Sequence, residues 1–135
     1  MKQCRSCGTE LVRYHQKVFC SLACQQELAR REKIELWLTA GVATTISGNR
    51  RHYVRIYLYD AQQGRCAICD APATWQGQPL AFVLDHIDGD ATNNHRENLR
   101  LVCPNCDSQL PTFKSRNRGN GRAWRKQRYA DGKSY

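Results

Sequence analysis

Eight cysteines in 135 residues fall into four short pairs, Cys4/Cys7, Cys20/Cys24, Cys66/Cys69 and Cys103/Cys106. No other feature narrows the possible folds so far. Cysteines two or three residues apart present both sulfurs from one backbone turn, and two such pairs complete a closed tetrahedral zinc site. The first set reads Cys4-x2-Cys7-x12-Cys20-x3-Cys24, and the pairs at 66/69 and 103/106 make the second. Disulfides are the other chemistry open to these residues, so the compartment matters. The N-terminus, Met1-Lys2-Gln3-Cys4, lacks the apolar stretch of a signal peptide. The mostly apolar run 36–46 is broken by threonines and Gly41 and is too short to cross a bilayer. These features predict a cytoplasmic chain with no membrane span, and in a reducing cytosol paired cysteines bind zinc rather than form disulfides.

A short, polar chain buries little apolar surface and needs such staples. Its net charge of +9, from 21 basic and 12 acidic side chains, favours a polyanionic partner, with nucleic acid first among them. The charge is clustered. From residue 114 onward stand Lys114, Arg116, Arg118, Arg122, Arg125, Lys126, Arg128 and Lys133 against the single acid Asp131, with Trp124 and Tyr129 interleaved. Such a tail neutralises phosphates and offers ring planes to bases or sugars.

The chain divides into an N-terminal four-cysteine zinc unit with its helix (1–40), a connector and basic helix (41–63), a second zinc-framed unit (64–118) and a basic tail (119–135). Gly8 permits a tight knuckle turn. Ser21 suits the N-cap of a helix over 22–38, and Gly41 suits its end. That helix is only loosely periodic, so it should pack on the next element or grip a partner. Asn49 to Gln63 reads as a second helix, with Arg50, Arg51 and Arg55 near its start opposing the helix dipole unless an anion such as phosphate compensates. In the second unit, Leu80–Leu84 and Leu99–Val102 read as strands around a polar loop, and Pro104 suits the first turn of a following helix. The order is strand, loop, strand, helix.

A zinc held by four thiolates has no open position, so chemistry must come from other residues. Asp85-His86 ends the first strand, where rigid backbone aims side chains well. Asp88 and Asp90, flanking Gly89, are turn formers, and His95 reads as a surface histidine. A redox role is disfavoured because all eight thiols are used by the two zinc sets.

At Cys66-x2-Cys69, Leu84-Asp85-His86-Ile87-Asp88-Gly89-Asp90, Asn93-Asn94, Glu97-Asn98-Leu99-Arg100-Leu101-Val102-Cys103-Pro104-Asn105-Cys106 and Thr112-Phe113-Lys114-Ser115-Arg116-Asn117, the chain resembles the HNH endonuclease family. The resemblance covers roughly residues 64–118. It implies a small zinc-stabilised α+β fold with a ββα-metal, treble-clef-like nuclease core, here preceded by the N-terminal zinc unit and helices. Carried over by position, His86 would be the general base on the attacking water, a role suited to a group that titrates near neutral pH. Asn98 would lock the hairpin and orient that imidazole, and Asp85 would bind the catalytic cation. The family often has His after the last cysteine, where this chain has Asp107. Two carboxylates favour Mg2+ or Mn2+, and Asp107 is read as the second ligand, although a carboxylate in a first helical turn is favourable in any case. Lys114, Arg116 and Asn117 would hold the scissile phosphate or its neighbours. Two functions follow as expectations. One is a metal-dependent endonuclease of double-stranded DNA; the other is a catalytically inactive, zinc-stabilised DNA-binding or regulatory module.

Overall fold

A computed structural model describes residues 2–44, 46, 51–114 and 130–132. In chain order its main elements are helix α1 (Leu22–Ala40), helix α2 (Tyr53–Ala61), strands β1 (Thr74–Trp75), β2 (Gln78–Pro79), β3 (Val83–His86) and β4 (Leu99–Val102), and helix α3 (Pro104–Ser108). The result is a small α+β arrangement with two short antiparallel sheets, β1–β2 and β3–β4.

Two knuckles of one design anchor it. After each leading cysteine pair the next residue enters the left-handed region, Gly8 at φ 77° and Asp70 at φ 65°. Its N–H donates to the carbonyl of the first cysteine, Gly8 to Cys4 at 2.9 Å and Asp70 to Cys66 at 3.0 Å. Glycine adopts that conformation freely, and Asp is among the few other residues that tolerate it. The closing pair of each set lies at a helix start. Ser21 Oγ accepts the Cys24 N–H at 3.2 Å to cap α1, and Cys103 Sγ accepts the Cys106 N–H at 3.4 Å to cap α3.

Between these staples the core is small. Trp37, Val54, Leu58, Phe82, Leu99, Leu101 and Val102 cluster with the buried Cys66 and Cys103, so the second thiolate set is part of the core. Helix α2 packs on β4, and α3 packs on β3. The Gln62 side chain pairs with β4 like a further strand residue: its Nε2 donates to the Leu101 carbonyl and its Oε1 accepts the Leu101 N–H, both at 2.9 Å. The Ala67 N–H donates to the same Leu101 carbonyl at 3.0 Å, so this amide and one backbone group cover the strand edge.

Helix α1 matches its expected limits, with Gly41 at φ 69° donating its N–H to the Trp37 carbonyl at 2.9 Å. Its weak periodicity has a plain counterpart: Trp37 is its one buried residue, while Leu22, Leu36 and Leu38 are exposed. Helix α2 starts at Tyr53 rather than Asn49 because His52 is its N-cap, Nδ1 accepting the Val54 N–H at 3.2 Å. Of the basic residues expected in its first turn, Arg55 is there, Arg51 precedes the cap, and Arg50 lies outside the described residues. Strand β3 runs Val83–His86 instead of Leu80–Leu84, because Leu80 donates its N–H to Ala73 at 2.9 Å beside the β1–β2 hairpin. That hairpin was not expected from the sequence. Its turn needs positive φ at both central residues, Gln76 at 48° and Gly77 at 75°, and only the glycine signals it.

The His52 imidazole is held below its ordinary pKa by burial, with Arg55 and Lys33 adding to the effect and a Thr44 backbone hydrogen bond opposing it. A depressed histidine stabilises the fold above its unfolded pKa, and that contribution is lost as pH falls through the lowered folded value. Melting temperature should therefore fall on mild acidification. His52→Asn, which keeps a capping acceptor, should flatten that pH dependence, whereas His52→Ala should cost about 1 kcal/mol in denaturant titrations at neutral pH.

Candidate active site

The two cysteine sets close as the spacing predicts. Among the described residues, Cys4, Cys7, Cys20 and Cys24 bring their sulfurs within 4.8 Å of one another, and so do Cys66, Cys69, Cys103 and Cys106. Individual pairs stand 3.4 to 3.7 Å apart. A disulfide would hold them at about 2.0 Å, while a tetrahedral zinc with bonds near 2.3 Å spaces its sulfurs by about 3.8 Å. The donor chemistry agrees with zinc. Burial works against ionising the Cys66 thiol, yet the backbone N–H groups of Cys69, Cys103 and Ile68 bring it down to about 6. Cys106, in contrast, is pushed up to about 12 by burial and by the sulfurs of Cys103, Cys69 and Cys66. Four crowded sulfurs cannot all carry charge without a cation between them, and both sets fit a structural zinc ion.

The second set clamps the β3–β4 hairpin to α3. In the hairpin Asp85 pairs with Arg100 and His86 with Leu99. Asp85 is buried at 7% exposure, and its Oδ2 accepts the Arg100 Nε–H at 2.7 Å. A buried carboxylate needs such a partner, and Oδ1 remains the atom able to meet a cation. Strand alternation alone would send Asp85 and His86 to opposite faces. Both nevertheless line one cleft of about 340 Å³, together with Asp107 from α3 and Lys114 beyond it. His86 is the last residue of its strand, where alternation no longer binds. The Asp107 carboxyl lies above its ordinary range, chiefly through burial and further through the nearby Asp85 charge, with Lys114 opposing.

A polar loop holds the imidazole. His86 Nε2 lies 2.9 Å from Asn94 Oδ1, so this nitrogen carries the proton and Nδ1 is left as the acceptor. Asn98, also buried, fastens the loop: its Oδ1 accepts the Asp88 N–H at 3.0 Å, and its Nδ2 donates to Asp88 Oδ1 at 2.9 Å and to the Asn93 carbonyl at 2.8 Å. Asp88 and Asp90 serve the turn, accepting from the Asp90 and Thr92 N–H groups at 2.8 and 2.9 Å. Hydrogen bonds from Asn93 and Thr92 respectively hold both carboxyls below their ordinary range.

The structure thus brings Asp85, His86, Asp107 and Lys114 to one cleft, and the Asn98 side chain bonds to Asp88 and Asn93 within the loop. Among the described residues only the cysteine sets gather three or more metal-type ligands within 4.8 Å, so Asp85, His86 and Asp107 line the cleft without meeting that closely. Arg55 is engaged in the fold, its Nη1 donating to the Phe82 carbonyl at 3.1 Å. Arg116, Asn117, Arg118, Arg122, Arg125, Lys126 and Arg128 lie outside the described residues. Sequence reasoning gave no role to Asn94 or Arg100. The strand register could have paired Arg100 with Asp85, but nothing local marks Asn94 as the imidazole's partner.

Part of this chain has a phage relative. The H-N-H endonuclease F-TflIV of Escherichia phage T5 is 38% identical over 55 residues, which are 41% of this chain and 24% of that protein. The match thus spans about a quarter of the relative's length. No family model and no solved structure matches the chain.

Two outcomes test this geometry. Cys66→Ser should lower the zinc content from two ions per chain to one by elemental analysis and unfold the hairpin unit, because this sulfur also accepts the Cys103 N–H inside the core at 3.2 Å. A carboxyl raised in the folded state favours folding while protonated, and that contribution is lost as pH rises through the raised value. With zinc retained and no magnesium or manganese present, Asp107→Asn should therefore melt higher than the parent at neutral pH. The gap should close on acidification.

Proposed function

We propose that this chain is an HNH endonuclease that hydrolyses phosphodiester bonds of double-stranded DNA with the help of Mg2+ or Mn2+. The observation that carries this reading is the shared cleft of Asp85, His86 and Asp107 at the junction of a thiolate-clamped hairpin and helix. Similarity to a phage protein named as an H-N-H endonuclease supports it. In this reading β3, β4 and α3 form the ββα-metal core of a nuclease unit spanning 64–118. The segments 1–40, 41–63 and 119–135 are then the N-terminal zinc unit, the connector with its helix, and a DNA-binding tail.

Asp85 and Asp107 would hold the divalent ion. They fit it: two carboxylates make a hard oxygen site, the Asp85 charge helps to raise Asp107, and Arg100 fixes the orientation of Asp85. When bound, the cation supplies a Lewis acid that polarises the phosphoryl group and stabilises charge on the departing 3′ oxygen. His86 accepts the proton of the attacking water at Nδ1, because Asn94 occupies Nε2. Asn98 keeps the loop that carries Asn94 in register. Lys114 places a positive charge at the cleft edge for a phosphate, and Arg116, Asn117, Arg118, Arg122, Arg125, Lys126 and Arg128, with Arg50, Arg51 and Arg55, add the electrostatic footprint. No helix among the described residues is long and apolar enough to cross a membrane. In this reading the chain works in the cytoplasm, beside its DNA substrate.

Supercoiled plasmid should be cut by the purified zinc-loaded chain when Mg2+ or Mn2+ is added, and not without them. His86→Ala should slow cutting by about 10²- to 10⁴-fold, the usual contribution of a general base, while gel-shift affinity is retained. A chain that only shifts DNA under every metal condition is the inactive binding module instead.

A further inference from the structure

Helix α1 belongs to the N-terminal zinc unit, yet its last turn reaches the loop that holds His86. Trp37 is fully buried and stands edge-on to Tyr57 of α2, with ring centroids 5.2 Å apart. Its indole Nε1–H donates to the Asn94 carbonyl at 2.7 Å, across 57 positions of sequence. Asn94 is the same residue whose side-chain oxygen meets the imidazole of His86 at 2.9 Å. One position further, the His95 ring lies directly against Gly41, the left-handed residue that ends α1, so closely that a Cβ there would collide with it. Two successive loop residues are therefore held by the end of one distant helix.

The loop's other side-chain hydrogen bonds are of a different kind. Asp88, Asp90, Thr92, Asn93 and Asn98 bond one another within the loop and at its base. Those bonds fix the loop's internal shape but do not tie its far end to a rigid body. The Trp37 bond does. A carbonyl pinned by a buried indole cannot rotate without leaving an unpartnered donor in the core, so the Asn94 peptide and the side chain it carries are held in one orientation. We propose that Trp37 is a positioning residue for the His86 imidazole. The helix that starts at the N-terminal thiolate set thereby sets the geometry of proton transfer in the cleft. The inference rests on the reading of that cleft as a hydrolytic site.

Trp37→Phe keeps a ring in the core and removes only the donor and part of the packing. Measured on the full zinc-loaded chain, single-turnover cleavage of supercoiled plasmid should slow about tenfold, since displacements well under 1 Å at a proton acceptor already cost rate. DNA affinity by fluorescence anisotropy without magnesium and zinc content should stay at parental values. In an Asn94→Ala background the same substitution should change the rate less than twofold, because the link it acts through is gone. Parental cleavage by Trp37→Phe, or an equal slowing in both backgrounds, would overturn the proposal and leave Trp37 a packing residue. If Trp37→Phe unfolds at assay temperature, Gly41→Ala applies the test from the other contact: slower cleavage at unchanged affinity supports the link, and parental cleavage overturns it. Should the parent cut no DNA under any metal condition, the hydrolytic reading falls by itself. The linkage is then decided by long-range proton–nitrogen spectra of His86. Altered occupancy of the Nε2 proton in Trp37→Phe supports it, and an unchanged spectrum overturns it.

Discussion

Everything in the hairpin unit depends on the meeting of Cys66, Cys69, Cys103 and Cys106. These sulfurs join the knuckle at 66–71 to the end of β4 and the first turn of α3. Strands of four residues and a helix of five are far too short to persist alone, and the apolar cluster beside them is small. Zinc coordination supplies on the order of 10 kcal/mol to folding in sites of this kind, enough to fix elements that packing alone would leave unformed. Because Cys66 and Cys103 are themselves core residues, metal site and core are one structure.

Rigidity there is what lets polar groups converge. Asp85 comes from β3 and is buried beside Arg100, while Asp107 comes from α3 and is raised by its own partial burial and by the Asp85 charge. Such an arrangement is kept only where backbone geometry enforces it. The Asp85–Arg100 pair, at 2.7 Å, steadies one carboxylate while leaving the other to bear the repulsion that raises Asp107. The loop between the strands contributes by a different means: its Asp, Asn and Thr side chains replace backbone pairing with a closed set of short hydrogen bonds.

The sequence was most legible where one residue type has one structural use. Gly8, Ser21, Gly41 and Pro104 stand where turn, cap, stop and first helical turn were expected. Strand β4 coincides with its expected span because its apolar run is bounded by a cysteine and a polar turn. The start of α2 was misplaced because a histidine, not one of the commoner capping residues, caps it through a ring nitrogen. The β1–β2 hairpin was hidden by Gln76, whose positive φ its side chain does not announce.

Sequence by itself determined the two thiolate sets, the strand-loop-strand-helix order and the placing of Asp85-His86 at a strand end, because ligand spacing and turn chemistry are local properties of the chain, while Asp107 became a candidate through the family resemblance. Tertiary structure alone decided that Asn94 holds the imidazole, that Arg100 holds Asp85 and that Trp37 reaches the loop from another unit. Those contacts join residues whose separation along the chain carries no period or motif. They exist only once the hairpin is registered and α1 has docked, because a hydrogen bond between distant residues is specified by where the backbone brings them.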